Sequence, residues 1–151
     1  DNIFGCPRCN LFCTLAREID DIAKRKKYKQ NQYGDRKSRK DDYTGERVFS
    51  GNTKKAIKKH PIDKISDTDH VTPIKVVQSR YKGLSDDQQR IIANSEHNYA
   101  ITNSKLNRSK GGLENHEYLM RQTLKGENPG LKTSAKMLDL GRWFHQPDGI
   151  S

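Results

Sequence analysis

Pro73 falls inside a run rich in β-branched residues, Ile65-Ser-Asp-Thr-Asp-His-Val-Thr-Pro-Ile-Lys-Val-Val77, and it limits what that run can become. Proline has no N–H to give to a ladder and its ring fixes φ, so a strand formed here must end or bend at Pro73. Composition also points to small elements. Apolar residues make up 31% of the chain and charged ones 32%, and that apolar share is well below the usual one. A chain of 151 residues with this balance suits one domain with a small core, and its most charged stretches are candidates for disorder.

Charge narrows the partners. Lys and Arg number 29 against 19 Asp and Glu, for a formal net charge of +10. Such a domain favours a polyanion, of which nucleic acid is the commonest. The blander alternatives are an anionic lipid surface or a protein that is merely soluble. No run approaches the roughly 20 apolar residues of a membrane span. The N-terminus has no basic segment followed by an apolar one, as a signal peptide would. The first residue is Asp rather than Met, and the expectation is a processed product or a domain of a longer parent.

Cys6, Cys9 and Cys13 stand together near the N-terminus. Three cysteines cannot all pair within one chain. Cys-x-x-Cys is a common half of a zinc site, but the other half is missing, and only His60 offers itself as a distant completion. A structural zinc, and behind it a redox role, is therefore a lesser expectation than a packing or incidental role.

The chain divides into an N-terminal helix and basic arm (1–40), a central region (41–125) and a helical extension (126–151). Leu11, Leu15, Ile19 and Ile22 recur at helical spacing, with Arg17, Glu18, Asp20 and Asp21 between them, and predict an amphipathic helix over 10–28. Residues 24–40 hold nine Lys or Arg and read as a solvated helix end or mobile loop, a candidate phosphate-contacting arm. Tyr43-Thr-Gly-Glu-Arg-Val-Phe49 reads as a turn followed by a strand, and 53–60 as one or two basic helical turns. Ser85-Asp-Asp-Gln88 is a capping-box start for a helix to Ala93. Tyr99–Thr102 is a strand candidate. Asn103 or Ser104 caps a helix that Gly111-Gly112 would stop after Lys110. Two more helices are expected, near 114–125 and 131–145.

The stretch from Asp69 to Lys110 reads strand, loop, strand, helix, with polar residues at the junctions. Asp67, Asp69 and His70 stand at a strand end, Asn98 precedes the second strand, and Asn107 lies one turn into the helix. Hydrolysis of a phosphodiester needs a base for water and a cation to offset charge on the phosphate. Histidine suits the first task near neutral pH. Carboxylate and amide oxygens suit a hard cation. Adjacent strand residues face opposite ways, so Asp69 and His70 can meet one phosphate only if the junction before Pro73 bends. Taken singly, His116 and His145 read as incidental, His97 as a loop residue with a substitute base or phosphate donor as its alternative, and Trp143 and Phe144 as core or interface. Arg108 and Lys110 have a second reading as cations at a helix C-terminus.

Asp69-His-Val-Thr-Pro73 resembles the D-H-x-x-P segment of HNH (ββα-metal) endonucleases. Asn98-Tyr-Ala-Ile-Thr-Asn-Ser-Lys-Leu-Asn107-Arg-Ser-Lys110-Gly is similar to that family's second strand and helix. Asp67-Thr-Asp-His70 and the pair Asn107-Arg108 are nearest to the HNH domain of CRISPR effector nucleases, and Tyr43-Thr-Gly45 resembles a segment often found upstream. The resemblance covers about 45 residues. It implies an α+β fold, a small ββα-metal core (an antiparallel hairpin plus a helix) surrounded by further helices. It implies cleavage of DNA, ahead of RNA, with His70 as general base. Asp69 and Asn107 would be the metal ligands, and Asn98 would tie the loop that orients His70. Arg108, Lys110 and Lys105 would contact phosphates. The pattern is H-N-N, which favours Mg²⁺ or Mn²⁺ over the zinc or nickel held by histidine ligands. The implied site of action is cytoplasmic, with export inside a larger toxin as an alternative, and a parent or inhibitor protein as a further partner. The competing readings are an RNase on the same site and an inactive basic DNA-binding module. His70 and Asn98 stand farther apart than usual, with Tyr81-Lys82-Gly83 and the predicted 85–93 helix between them.

Overall fold

The structure, a computed structural model, describes residues 19–51 and 54–142. The expectations placed on Cys6, Cys9, Cys13, Trp143, Phe144 and His145 lie outside these residues. The fold is α+β. In chain order the described elements are α1 (Ile22–Tyr33), β1 (Ser38–Lys40), β2 (Arg47–Phe49), α2 (Lys54–Lys59), β3 (Ser66–His70), α3 (Ile74–Arg80) and α4 (Asp86–Ala93). They continue with a 3₁₀ turn (Glu96–Asn98), β4 (Tyr99–Asn103), α5 (Ser104–Lys110), α6 (Asn115–Leu124) and α7 (Leu131–Gly141). None of the described helices is long and apolar enough to cross a membrane.

Two antiparallel hairpins organise the chain. In one, Ser38 pairs with Phe49 and Lys40 with Arg47. In the other, Ser66 pairs with Asn103 and His70 with Tyr99, and α5 follows β4 without a linker. A parallel bridge between Phe49 and Ile65 joins the two. The β3–β4 hairpin carries the core. Tyr43, Val71, Ala100, Tyr118, Leu119 and Met137 form one cluster, and Ile19, Val77 and Ala93 a second.

Local chemistry explains most boundaries. The Ser85 hydroxyl accepts from the Gln88 N–H at 3.2 Å, and the Gln88 amide oxygen accepts from the Ser85 N–H at 2.9 Å, so α4 starts on a full capping box. Asn103 accepts from the Leu106 N–H at 2.8 Å and opens α5. Gly111 closes it at φ 54°, a conformation glycine adopts without a Cβ penalty.

Three expectations need correction. The strand expected to end or bend at Pro73 ends at His70, and the chain then enters α3, a helix not expected there, directly after Pro73. A helix start needs no N–H from its first residues, so proline is at home there. Burial of Val77 against Ile19 and Ala93 then outweighs its strand preference. The helix predicted over 10–28 is interrupted at Asp20–Asp21. Asp21 caps α1 by accepting from the Lys24 N–H at 3.0 Å, and Ile22, expected on the apolar face, is exposed. Of the two readings of the basic arm, the exposed helix holds for α1 and the loop does not, since β1 follows it. Lys29 Nζ donates to the Ser66 carbonyl at 2.6 Å, and the Tyr33 hydroxyl meets that of Ser66.

Scarce apolar residues are supplemented by a hydrogen-bonded polar core. Asp41, buried beside Tyr43, accepts from the N–H groups of Tyr43 (2.8 Å), Thr44 (3.1 Å) and Asn103 (2.9 Å), from the Asn103 amide (2.9 Å) and from the Thr102 hydroxyl. It thereby fastens the Tyr43-Thr44-Gly45 turn to the end of β4. Buried groups of this kind are tolerable only when paired.

Candidate active site

β3 ends at a cavity of about 320 Å³ whose walls include Asp69, His70 and Asn107 together with Asp20 and Arg25. Four cavities elsewhere are larger, about 570, 580, 410 and 420 Å³, and in the two largest the buried acids are committed. Glu114 pairs with Arg80 and Asp41 is saturated as described. Chemistry, not size, singles out the smaller one.

Asp69 is buried. Its Oδ2 accepts from the Tyr43 hydroxyl at 2.7 Å and from Lys110 Nζ at 2.6 Å, while Oδ1 accepts no hydrogen bond among the described residues. Burial, with the charge of Asp69 beside it, holds the Tyr43 phenol well above its usual pKa, so it stays a donor. Asn107 donates its amide to Asp67 at 3.3 Å, which leaves its oxygen as the free acceptor. Two lining residues, Asp69 and Asn107, thus each keep one side-chain oxygen without a hydrogen bond among the described residues. Among the described residues no group of three or more His, Cys, Asp or Glu is arranged to hold a metal, so the set is one carboxylate and one amide. Mg²⁺ accepts such a set when water and substrate phosphate complete its shell.

His70 sits half-enclosed at the rim. Its Nε2 lies 3.1 Å from Asn94 Oδ1 and 3.7 Å from Asp20 Oδ1, and its ring meets that of Tyr99 edge-on. Burial lowers its pKa below the ordinary 6.5, against the opposing pull of Asn94 and Asp20. The neutral, proton-accepting form therefore persists below pH 6.5. The acid limb of any reaction that uses His70 as a base is expected to have its midpoint under 6.5, read from kcat/KM against pH. A midpoint above 6.5 would contradict the enclosure. Folding follows the same sign: the unfolded chain takes up this proton first, so His70's contribution to stability is whole above pH 6.5 and declines as the pH drops below it.

Asn98 is fully buried and stays away from the cavity wall. Its Oδ1 accepts from the Thr72 N–H at 2.7 Å, and its amide donates to the carbonyls of Thr72 (3.0 Å) and Ala93 (2.8 Å). Its own carbonyl accepts from the Val71 N–H. It clamps the turn between β3 and α3 from both sides, directly after His70. Asp69 and His70 both lie in the regular β3–β4 ladder, opposite Ala100 and Tyr99, and both line the cavity; the bend expected to bring them together follows them, at the clamped turn before Pro73.

Lys110 departs from expectation. Read as a phosphate contact, it is 1% exposed, and Nζ donates to Asp69, to the His70 carbonyl (3.0 Å) and to the Val71 carbonyl (3.0 Å). Three donors are all an ammonium has, so none remains for a nucleic acid. Lys105 and Arg108 are exposed on α5 and open to solvent partners. His60 stacks on Phe49 with centroids 3.9 Å apart, and His97 and His116 stand outside the cavity.

Residue reading missed Asp20, Arg25 and Asn94. Arg25 Nε and Nη2 bind the two oxygens of Asp20 at 2.9 and 2.7 Å, and its pKa is raised chiefly by that bond. Nη1 makes no hydrogen bond among the described residues. No protein-family model, curated protein or solved structure matches the chain.

Proposed function

We propose that the chain is a metal-dependent nuclease of the HNH type that hydrolyses phosphodiester bonds of DNA. The observation that carries this reading is that one cavity is lined by a histidine whose burial favours the neutral form and by a carboxylate and an amide that each keep an oxygen without a hydrogen bond among the described residues. His70 takes the proton of an attacking water. Asp69 and Asn107 hold a divalent cation, Mg²⁺ or Mn²⁺, which when bound offsets charge on the phosphate and leaving oxygen. Lys110 already offsets part of the charge of Asp69, so Asp69 and Asn107 would hold the cation jointly with the substrate phosphate. Arg25, steadied by Asp20, turns its free Nη1 to the phosphate. Lys105 and Arg108 hold neighbouring phosphates, and the +10 charge draws the polyanion in.

The test is cleavage of duplex DNA, single-stranded DNA and RNA by the full chain with Mg²⁺ or Mn²⁺, repeated with a chelator. Cutting of duplex DNA that the chelator stops is expected. Cutting of RNA alone makes the site that of an RNase. Binding with steep salt dependence and no cutting of any substrate makes the chain a basic binding module instead.

A further inference from the structure

Asn94 closes α4, is 1% exposed, and uses every polar atom of its side chain. Its Nδ2 donates to the carbonyls of Ile19 at 2.8 Å and Arg90 at 2.9 Å. Its Oδ1 accepts from the Tyr99 hydroxyl at 2.9 Å and the Asp21 N–H at 3.2 Å, and faces His70 Nε2 at 3.1 Å. Two carbonyls on one end and two donors on the other leave the amide a single orientation, since reversing it would set oxygen against oxygen and N–H against N–H. An amide oxygen only accepts. His70 Nε2 must therefore carry the hydrogen, and neutral imidazole has only one. Asp20 Oδ1 on the same side of the ring is an acceptor too, so no group there opposes the choice.

We propose that Asn94 is the positioning residue of this site: its buried amide fixes His70 as the Nε2–H tautomer, leaving Nδ1 as the proton acceptor, and the same amide pins the backbone at Ile19 and Asp21 that presents Asp20 and Arg25 to the cavity. The tautomer follows from the hydrogen bonds alone. Its catalytic meaning rests on the nuclease reading. The device joins two sections of chain far apart in sequence, because one amide meets both His70 and the backbone at Ile19 and Asp21. Partners that orient a functional side chain typically matter by about 10–100-fold when lost.

The experiment is nitrogen-correlated NMR of the ¹⁵N-histidine-labelled full chain above pH 6.5, with the His70 signals assigned by their loss in His70→Ala. The wild type is expected to show a proton on His70 Nε2 protected from exchange with water, and a bare Nδ1. Asn94→Leu, which has no acceptor, loses that protected proton and cuts DNA about 10–100-fold more slowly with little change in DNA binding. A wild-type Nδ1–H tautomer overturns the assignment, as does a protected proton that survives in Asn94→Leu; should that variant not fold, the wild-type spectrum decides alone. If the wild type cuts nothing, the nuclease reading falls while the wild-type spectrum still decides the role of Asn94.

Discussion

Cleavage by the His70→Ala variant is expected to fall by about 10²–10⁴-fold, the range that a positioned general base contributes. Binding of duplex DNA at fixed salt should stay close to wild type. The two readouts separate because affinity for DNA comes chiefly from Lys and Arg against phosphate, and His70 is half-enclosed at the cavity rim, with its Nε2 turned to Asn94 and away from solvent. The substitution removes one hydrogen bond to Asn94, whose oxygen keeps its Tyr99 and Asp21 donors, so the fold should survive. Steady-state cleavage beside a salt titration of binding gives the answer. Undiminished cutting would remove His70 from the chemistry, and the site with it.

The second large effect is on stability. Lys110→Met should lower the unfolding free energy by about 3–5 kcal/mol, the usual consequence of removing one member of a buried ion pair. The side chains of Lys110 and Asp69 are 0% and 6% exposed. With the ammonium gone, the Asp69 carboxylate keeps only Tyr43, and the carbonyls of His70 and Val71 lose their donor. Adding Asp69→Leu should recover part of the loss, because a matched apolar pair in place of a buried ion pair is often neutral. Lys105→Ala, on the exposed face of the same helix, is the contrast. It should unfold like wild type and reduce the salt slope of DNA binding by about one. Urea unfolding of the three variants checks this, and a Lys110→Met midpoint equal to wild type would show that the buried contact is not holding β3 to α5.

These two lysines show where residue reading reaches its limit. Both sit on a short basic helix of sequence Ser-Lys-Leu-Asn-Arg-Ser-Lys, and a cation there reads as a phosphate contact either way. Which one points inward depends on where β3 ends. Asp20 and Arg25 were invisible for a related reason. In a periodic pattern they are the polar side of an amphipathic helix, and only the break at Asp20–Asp21, with Asn94 holding the backbone on either side, turns them to the cavity. Asn94 itself offered a weak signal, an amide just after a capped helix, which by position suggests an end rather than a hub.

The α+β class, the capped starts of α4 and α5, the Gly111 stop and the β4 strand were all legible before any coordinates. Each depends on interactions within a few residues, where side-chain chemistry and backbone geometry leave little choice. Tertiary packing alone decided that Val77 is helical, that the basic arm lies on β3, that Lys110 is buried under Asp69, and that residues from 20 to 107 share one cavity. Such contacts join groups distant along the chain, and no local preference encodes whether a given polar side chain will find its partner in solvent or across the core.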